Sequence, residues 1–221
     1  MIINETIYAN IIKNGRKNIY ISEDDQQFKY PESYVINHYK KIGYKGFFSE
    51  DRFWWYSKKL IYKDLIDIKA NKNNEDLFMS NMKYGSRQAE QMLYNERKIE
   101  RQKQNDIMMK EGFEKYISDD LIYFYEDPAK IILNRNEFID LLNTFNREFL
   151  FYMYEYLFDH FSEINPGNGL PDLIIYKSLK EIFFCEVKAL TDTVKLHQDV
   201  WHNRLSSQSQ KIVIMNIKEK N

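Results

Sequence analysis

The chain has 221 residues, with 32 lysines and arginines against 33 aspartates and glutamates, a net charge of −1, and one cysteine. That length supports a substantial buried core, and a single elaborated domain over residues 1–221 is the simplest organisation. One cysteine excludes an internal disulfide framework. A near-neutral balance excludes a surface that is basic throughout, so any hold on a polyanion must come from local patches.

In chain order, residues 1–29 are mixed, with a hairpin or short helix expected and a polar break at Ser22–Gln27. Pro31-Glu32 opens an amphipathic stretch, predicting a helix near Tyr34–Ile42, followed by a turn or strand over Gly43–Glu50 and an aromatic-rich helix over Arg52–Ile68. Asn71–Glu75 is polar punctuation. Ser86–Tyr116 predicts a long charged helix with Ala89, Met92, Leu93, Ile99 and Met108 as an intermittent apolar stripe. Its mixed-charge run Arg97–Lys103 reads as a solvated face. Asp127-Pro128 marks a turn. Asn136–Phe161 predicts a second long helix, with Phe138, Leu141, Leu142, Phe145, Phe149 and Tyr152 at core spacing. Two buried strands follow, Leu170–Ile175 and Glu181–Leu190, then a helix near Lys195–Leu205 and a last strand, Lys211–Ile217. Cys185 reads as a small buried residue and Trp201 as core. No signal peptide or membrane-spanning stretch is apparent, and the lone cysteine suits a reducing compartment, so an intracellular protein is expected.

The chemistry concentrates in Gly169-Leu170-Pro171-Asp172 and Cys185-Glu186-Val187-Lys188. Lys177-Ser178-Leu179-Lys180 makes a short polar turn between the two strands, so they read as an antiparallel hairpin. Centred on Leu179, that hairpin sets Asp172 directly opposite Glu186, with Cβ atoms ~5 Å apart and like charges that repel unless neutralised. A divalent cation bridging both carboxylates is the natural neutraliser. Strand alternation puts Lys188 on the face of Glu186. Mg²⁺ needs only a few oxygen ligands, lowers the pKa of a bound water and stabilises charge on a scissile phosphate, while Lys188 orients or deprotonates that water. The alternative is a hairpin whose polar residues simply face solvent. Against it, Ile174, Ile175, Phe183, Phe184 and Val187 bury these strands, where an ionised triad without a purpose is costly.

Residues Gly169–Tyr176, Phe184–Lys188, Asp192 and Gln198-Asp199-Val200-Trp201 together resemble the virus-type replication-repair nuclease (VRR-NUC) domain, a branch of the PD-(D/E)XK superfamily. The resemblance extends to Pro31-Glu32, Gly43–Gly46 and Ser49-Glu50, and the long interval from Glu50 to Asp172 is similar to the Fanconi-associated nuclease branch. It implies an α/β, restriction-endonuclease-like mixed sheet flanked by helices. The core would cover about residues 30–68 and 168–217, with a large helical insertion at about 69–165. It implies Glu50, Asp172, Glu186 and the Val187 carbonyl as ligands of Mg²⁺ or Mn²⁺, Lys188 as the catalytic lysine and Gln198 as a supporting residue. Glu32 is a secondary candidate, equally readable as a helix-start carboxylate. One departure is that His160–Asn168 lacks the arginines which that branch carries before this motif. Any phosphate pocket would then draw on Lys195 and His197.

Further basic clusters are Lys13, Arg16 and Lys17; Lys40, Lys41 and Lys45; and Lys58 and Lys59. Of these Lys40, Lys41 and Lys45 are expected beside the catalytic face, as DNA contacts. No zinc spacing joins His38, His160, His197 and His202. The resemblance implies a structure-specific deoxyribonuclease acting on flap or branched DNA in replication or repair, with a monomer favoured. Alternatives are a homodimeric Holliday-junction resolvase and an inactive DNA-binding module that keeps the fold. The prominence of Ile, Lys, Asn and Tyr is compatible with an AT-rich viral or phage genome.

Overall fold

Residues Ile182–Ala189 are buried on both faces of a sheet, which is why their sequence is a near-continuous apolar run broken only by Glu186 and Lys188. The computed structural model describes residues 1–14, 17–49, 51–66, 92–117, 121–125, 130–159, 169–177 and 181–220. Its elements begin with β1 (Ile2–Asn14), β2 (Lys17–Ile21), β3 (Gln27–Phe28), α1 (Pro31–Lys41) and β4 (Lys45–Phe48). There follow α2 (Asp51–Ile61), α3 (Lys63–Ile66), α4 (Lys98–Glu111), β5 (Leu121–Tyr125), β6 (Lys130–Asn134), α5 (Arg135–Thr144) and α6 (Arg147–Asp159). The chain closes with β7 (Leu173–Tyr176), β8 (Ile182–Ala189), α7 (Leu196–Ser207) and β9 (Ile212–Glu219).

Two compact units share these elements. The first comprises Met1–Phe53, Glu126–Ile131 and Gly167–Asn221. Its seven-stranded sheet has the order β3-β2-β1-β9-β8-β7-β4. The β1–β9 and β8–β9 pairs are parallel and the others antiparallel, so the sheet is mixed. One face packs on α1, where Tyr34, Val35 and Tyr39 join Ile7, Ala9, Leu173, Ile175, Phe183, Cys185, Val187, Val213, Met215 and Ile217. Strand alternation sends Phe184, Glu186 and Lys188 to the other face, and α7 buries Trp201, His202 and Leu205. Cys185 is fully buried, and burial pushes its thiol pKa up.

Of the hairpin or short helix expected near the N-terminus, the structure has the hairpin: β1 and β2 pair antiparallel from Asn10 opposite Ile21 to Asn14 opposite Lys17. β1 is a 13-residue strand inside the sheet. Asn4, Asn10 and Asn14 are poor strand formers that mask its pattern, yet Ile7 and Ala9 alternate inward as a strand with one covered face requires. Glu5 lies on that inward-facing set, where its Oε2 accepts the Tyr39 hydroxyl at 3.2 Å.

The second unit comprises Trp54–Tyr125 and Ile132–Pro166, between β4 and β7 in the chain. It is mainly helical, and β5 and β6 form a two-stranded sheet that the sequence reading did not anticipate. The single helix expected over Asn136–Phe161 is instead α5 and α6. Asn146 begins the second, its side-chain oxygen accepting the Glu148 and Phe149 N–H groups at 2.8 and 3.3 Å. The helix expected over Arg52–Ile68 is α2 and α3 with Tyr62 between them, and helical bonding runs through that residue: the Tyr62 N–H donates to the Lys58 carbonyl at 2.9 Å and the Ile66 N–H to the Tyr62 carbonyl at 3.1 Å. Phe138, Leu141, Leu142, Phe145 and Phe149 are core, as their spacing predicts.

Three further corrections concern burial. Arg101, read as part of a solvated face, is 2% exposed: it is ion-paired with Glu155 and its guanidinium lies 3.7 Å from the centre of the Tyr94 ring. Ile99, assigned to the apolar stripe, is 70% exposed instead. Lys58 is fully buried, its ammonium 4.2 Å from the Tyr94 ring centre, so it is no surface contact for phosphate. Arg147 donates to the Met108 and Met109 carbonyls at the end of α4, satisfying acceptors that the helix leaves open. Among the described residues, no helix is long and apolar enough to cross a membrane.

Candidate active site

The β7–β8 register pairs Leu173 with Cys185, Ile174 with Phe184, Ile175 with Phe183 and Tyr176 with Ile182. Continued by one residue, it sets Asp172 opposite Glu186, the register expected of a hairpin centred on Leu179. The turn residues 178–180 lie outside the described residues. Asp172 is held at three points. Its Oδ2 accepts the Val187 N–H at 2.7 Å, its carbonyl accepts the Ser49 N–H at 2.9 Å, and the Ser49 hydroxyl donates to the neighbouring Pro171 carbonyl. Ser49 is fully buried just beyond β4 and ties that strand end to the Pro171-Asp172 backbone. It had no assigned role in the sequence reading, although it stands beside Glu50.

Glu186 is fully buried, and Lys188 is 6% exposed. Glu186 Oε1 accepts from Lys188 Nζ at 2.6 Å and from Gln198 Nε2 at 2.6 Å. Gln198 Oε1 in turn accepts from Lys188 Nζ at 2.8 Å, closing a triangle of three side chains. The same oxygen accepts the Lys195 backbone N–H at 3.0 Å, so Gln198 caps its own helix while bracing Lys188. Gly169 makes this approach of α7 feasible. Its φ is +95°, and a Cβ there would lie 2.6 Å from the His197 carbonyl oxygen.

Electrostatics mark Asp172 as the strained member. Burial and then the neighbouring Glu186 carboxylate push its pKa up to about 8, with Glu32 adding to the rise; the Val187 N–H and Lys188 oppose it. Glu32, in the first turn of α1, is therefore close enough for its charge to act on Asp172. Glu50 lies outside the described residues. Among those described, no group of three or more His, Cys, Asp or Glu side chains is arranged to hold a metal ion; Asp172 and Glu186 supply two carboxylates.

The basic candidates divide. Lys195 and His197 are exposed and flank Gln198 at the start of α7. Lys45 pairs with the Tyr176 end of β7, away from Asp172, and Lys40 and Lys41 occupy the last turn of α1, about 12 Å along the helix from Glu32. Lys41 is already ion-paired with Asp24 at 2.6 Å. Lys40, Lys41 and Lys45 thus stand at the ends of α1 and β4 away from Glu32 and Asp172.

A residue without an assigned role lies behind Glu186. His202 is fully buried on α7, and its Nε2 is 3.6 Å from Glu186 Oε2. Among the described residues, neither that oxygen nor either ring nitrogen has a hydrogen-bond partner. The sequence signal was its place one turn after Gln198, which puts both side chains over the same strand.

The mixed sheet with helices on both faces, and a helical unit between β4 and β7, is a restriction-endonuclease-like α/β fold. Among solved structures, the chain is similar to paFAN1 bound to DNA with a one-nucleotide 5′ flap and a gap. The TM-score is 0.51 and the identity 14%, covering 100% of this chain and 38% of that one. It is also similar to paFAN1 bound to gapped DNA with a two-nucleotide 5′ flap, with a TM-score of 0.50 and 18% identity over 86% of this chain and 35% of that one. The likeness is one of fold, and the chain spans little more than a third of the length of those proteins. No protein-family model and no curated protein matches the sequence.

Proposed function

We propose that this chain is a metal-dependent, structure-specific deoxyribonuclease of the VRR-NUC type, hydrolysing phosphodiester bonds in flap or branched DNA. The observation that carries this reading is a buried carboxyl pair, Asp172 and Glu186, braced by Lys188 and Gln198, with one oxygen, Glu186 Oε2, that has no hydrogen-bond partner among the described residues. Lys188 balances Glu186, and burial beside that carboxylate holds Asp172 protonated up to about pH 8, so a bound cation would take the place of that proton. Such a donor set fits a hard divalent cation, Mg²⁺ or Mn²⁺. Asp172, Glu186, the Val187 carbonyl and Glu50 would hold it.

The bound cation would supply a water of lowered pKa and a counter-charge for the scissile phosphate. The chain's own residues do the positioning. The Val187 N–H fixes one oxygen of Asp172, turning the other towards the ligand site. Two of the three N–H donors of Lys188 are engaged by Glu186 and Gln198; the third serves a water or phosphate oxygen, orienting the nucleophile and screening the charge that develops in the transition state. Gln198 keeps the Lys188 ammonium from collapsing wholly onto Glu186. Lys195 and His197, at the exposed N-terminal end of α7, would grip DNA phosphates.

The test is cleavage of labelled 5′-flap, four-way-junction and linear duplex DNA by the purified chain. Metal-dependent cutting that favours the flap supports the reading. Symmetric cutting of the junction by a dimer would replace it with a resolvase, and binding without cutting in either metal would replace it with an inactive binding module.

A further inference from the structure

Among the described residues, both ring nitrogens of His202 are buried without a hydrogen-bond partner, and so is Glu186 Oε2. Unpaired buried polar atoms are costly, and here they face each other across 3.6 Å, from Nε2 to Oε2. That gap is only slightly longer than a hydrogen bond, and a small rotation about the Glu186 side chain closes it. The other carboxylate oxygen, Oε1, is already fixed from the opposite direction by Lys188 and Gln198 at 2.6 Å each. Glu186 is therefore gripped at Oε1, while Oε2 lies 3.6 Å from His202 Nε2. Leucine or phenylalanine would fill this apolar position on α7, beside Trp201 and Leu205, with no polar group to satisfy.

We propose that His202 is a positioning residue for Glu186, its Nε2–H directed at Oε2 so that the carboxylate plane is locked and one lone pair of that oxygen is presented to the divalent cation. This rests on the metal-site reading above. It assigns to α7 two separate grips on one ligand: Gln198 at Oε1 and, one turn later, His202 at Oε2. Each carboxylate oxygen offers two lone pairs, so a hydrogen bond from His202 leaves Oε2 able to bind the ion. Groups that orient a ligand in this way typically change metal affinity 10- to 100-fold when removed.

The experiment measures Mn²⁺ binding to the full chain without DNA, by calorimetry and by the electron paramagnetic resonance of free Mn²⁺. His202→Leu is compared with His202→Gln, whose amide N–H can reach Oε2. The inference expects Mn²⁺ affinity about 10-fold weaker in His202→Leu, restored to within about 3-fold in His202→Gln, with wild-type circular dichroism in both. In the wild type, ¹⁵N-edited NMR of the imidazole should find the proton on Nε2, and its shift should move in Glu186→Gln. That readout stands even if His202→Leu fails to fold. A bare Nε2, or wild-type affinity in His202→Leu, overturns the inference alone. A wild-type chain that binds no Mn²⁺ overturns the metal-site reading and this inference together.

Discussion

Replacing Asp172 with asparagine keeps an acceptor for the Val187 N–H and removes one of two opposed buried charges. A carboxyl that ionises near 8 rather than 3.8 carries a ceiling of about 6 kcal/mol of unfavourable ionisation in the folded state. Asp172 keeps an exposed edge, so water screens part of this, and we expect a gain of about 1–3 kcal/mol for Asp172→Asn in EDTA at about pH 8. The sign follows from proton linkage. Between about pH 4 and pH 8 the folded chain holds a proton that the unfolded chain has lost, so wild-type stability falls as pH rises through that window and levels off above it. The variant lacks that contribution to the slope. Urea unfolding or thermal melts at about pH 5, 7 and 8.5 would read the difference, with the variant melting several degrees higher at the alkaline end. Saturating Mn²⁺ should reverse the order, because it stabilises only the chain that retains the ligand. A variant less stable than wild type at every pH in EDTA would refute the reasoning and make Asp172 a structural residue.

The opposite sign is expected at Lys188. Lys188→Met strips Glu186 of its buried ion-pair partner and should cost about 3 kcal/mol in urea unfolding; unchanged stability would mean the pair is not buried as described. Gly169→Ala forces a side chain into a left-handed backbone and against the His197 carbonyl, and should lower the melting temperature by the equivalent of about 1–3 kcal/mol. In the helical unit, Asn146→Ala removes the acceptor that starts α6 and should cost about 1 kcal/mol by chemical denaturation, while Asn146→Asp should cost far less.

Much of the candidate site was legible because its two strands obey a rigid arithmetic. A short turn centred on Leu179 fixes every pair beyond it, so the Asp172–Glu186 opposition follows from counting, and the observed pairs agree with it. Lys188 followed from strand alternation, and Gln198 came with the motif. What could not be read was set by tertiary contact. His202 looks like any helix residue until α7 is laid over β8. Arg101 looks solvated until Glu155 and Tyr94 arrive from elsewhere in the chain. The lysines at 40, 41 and 45 are near Glu50 in sequence, but the direction of α1 and β4 carries them to the far end of the strand. The hairpin of β1 with β2 was legible, but the full length of β1 was hidden by its asparagines, since its first half pairs with β9 at the far end of the chain. Asn146 is a different case: it starts α6 inside an apolar spacing that is continuous across both helices, so the spacing alone reads as one helix.

The most direct test of the central claim compares wild type, Asp172→Asn and Lys188→Ala on a labelled 5′-flap substrate, with Mg²⁺, with Mn²⁺ and with EDTA. The account predicts cutting by wild type in either metal, none in EDTA, and a loss of at least about 100-fold in both variants while each still folds and binds the DNA. Equal cutting by wild type and Asp172→Asn, or cutting that persists in EDTA, would contradict it.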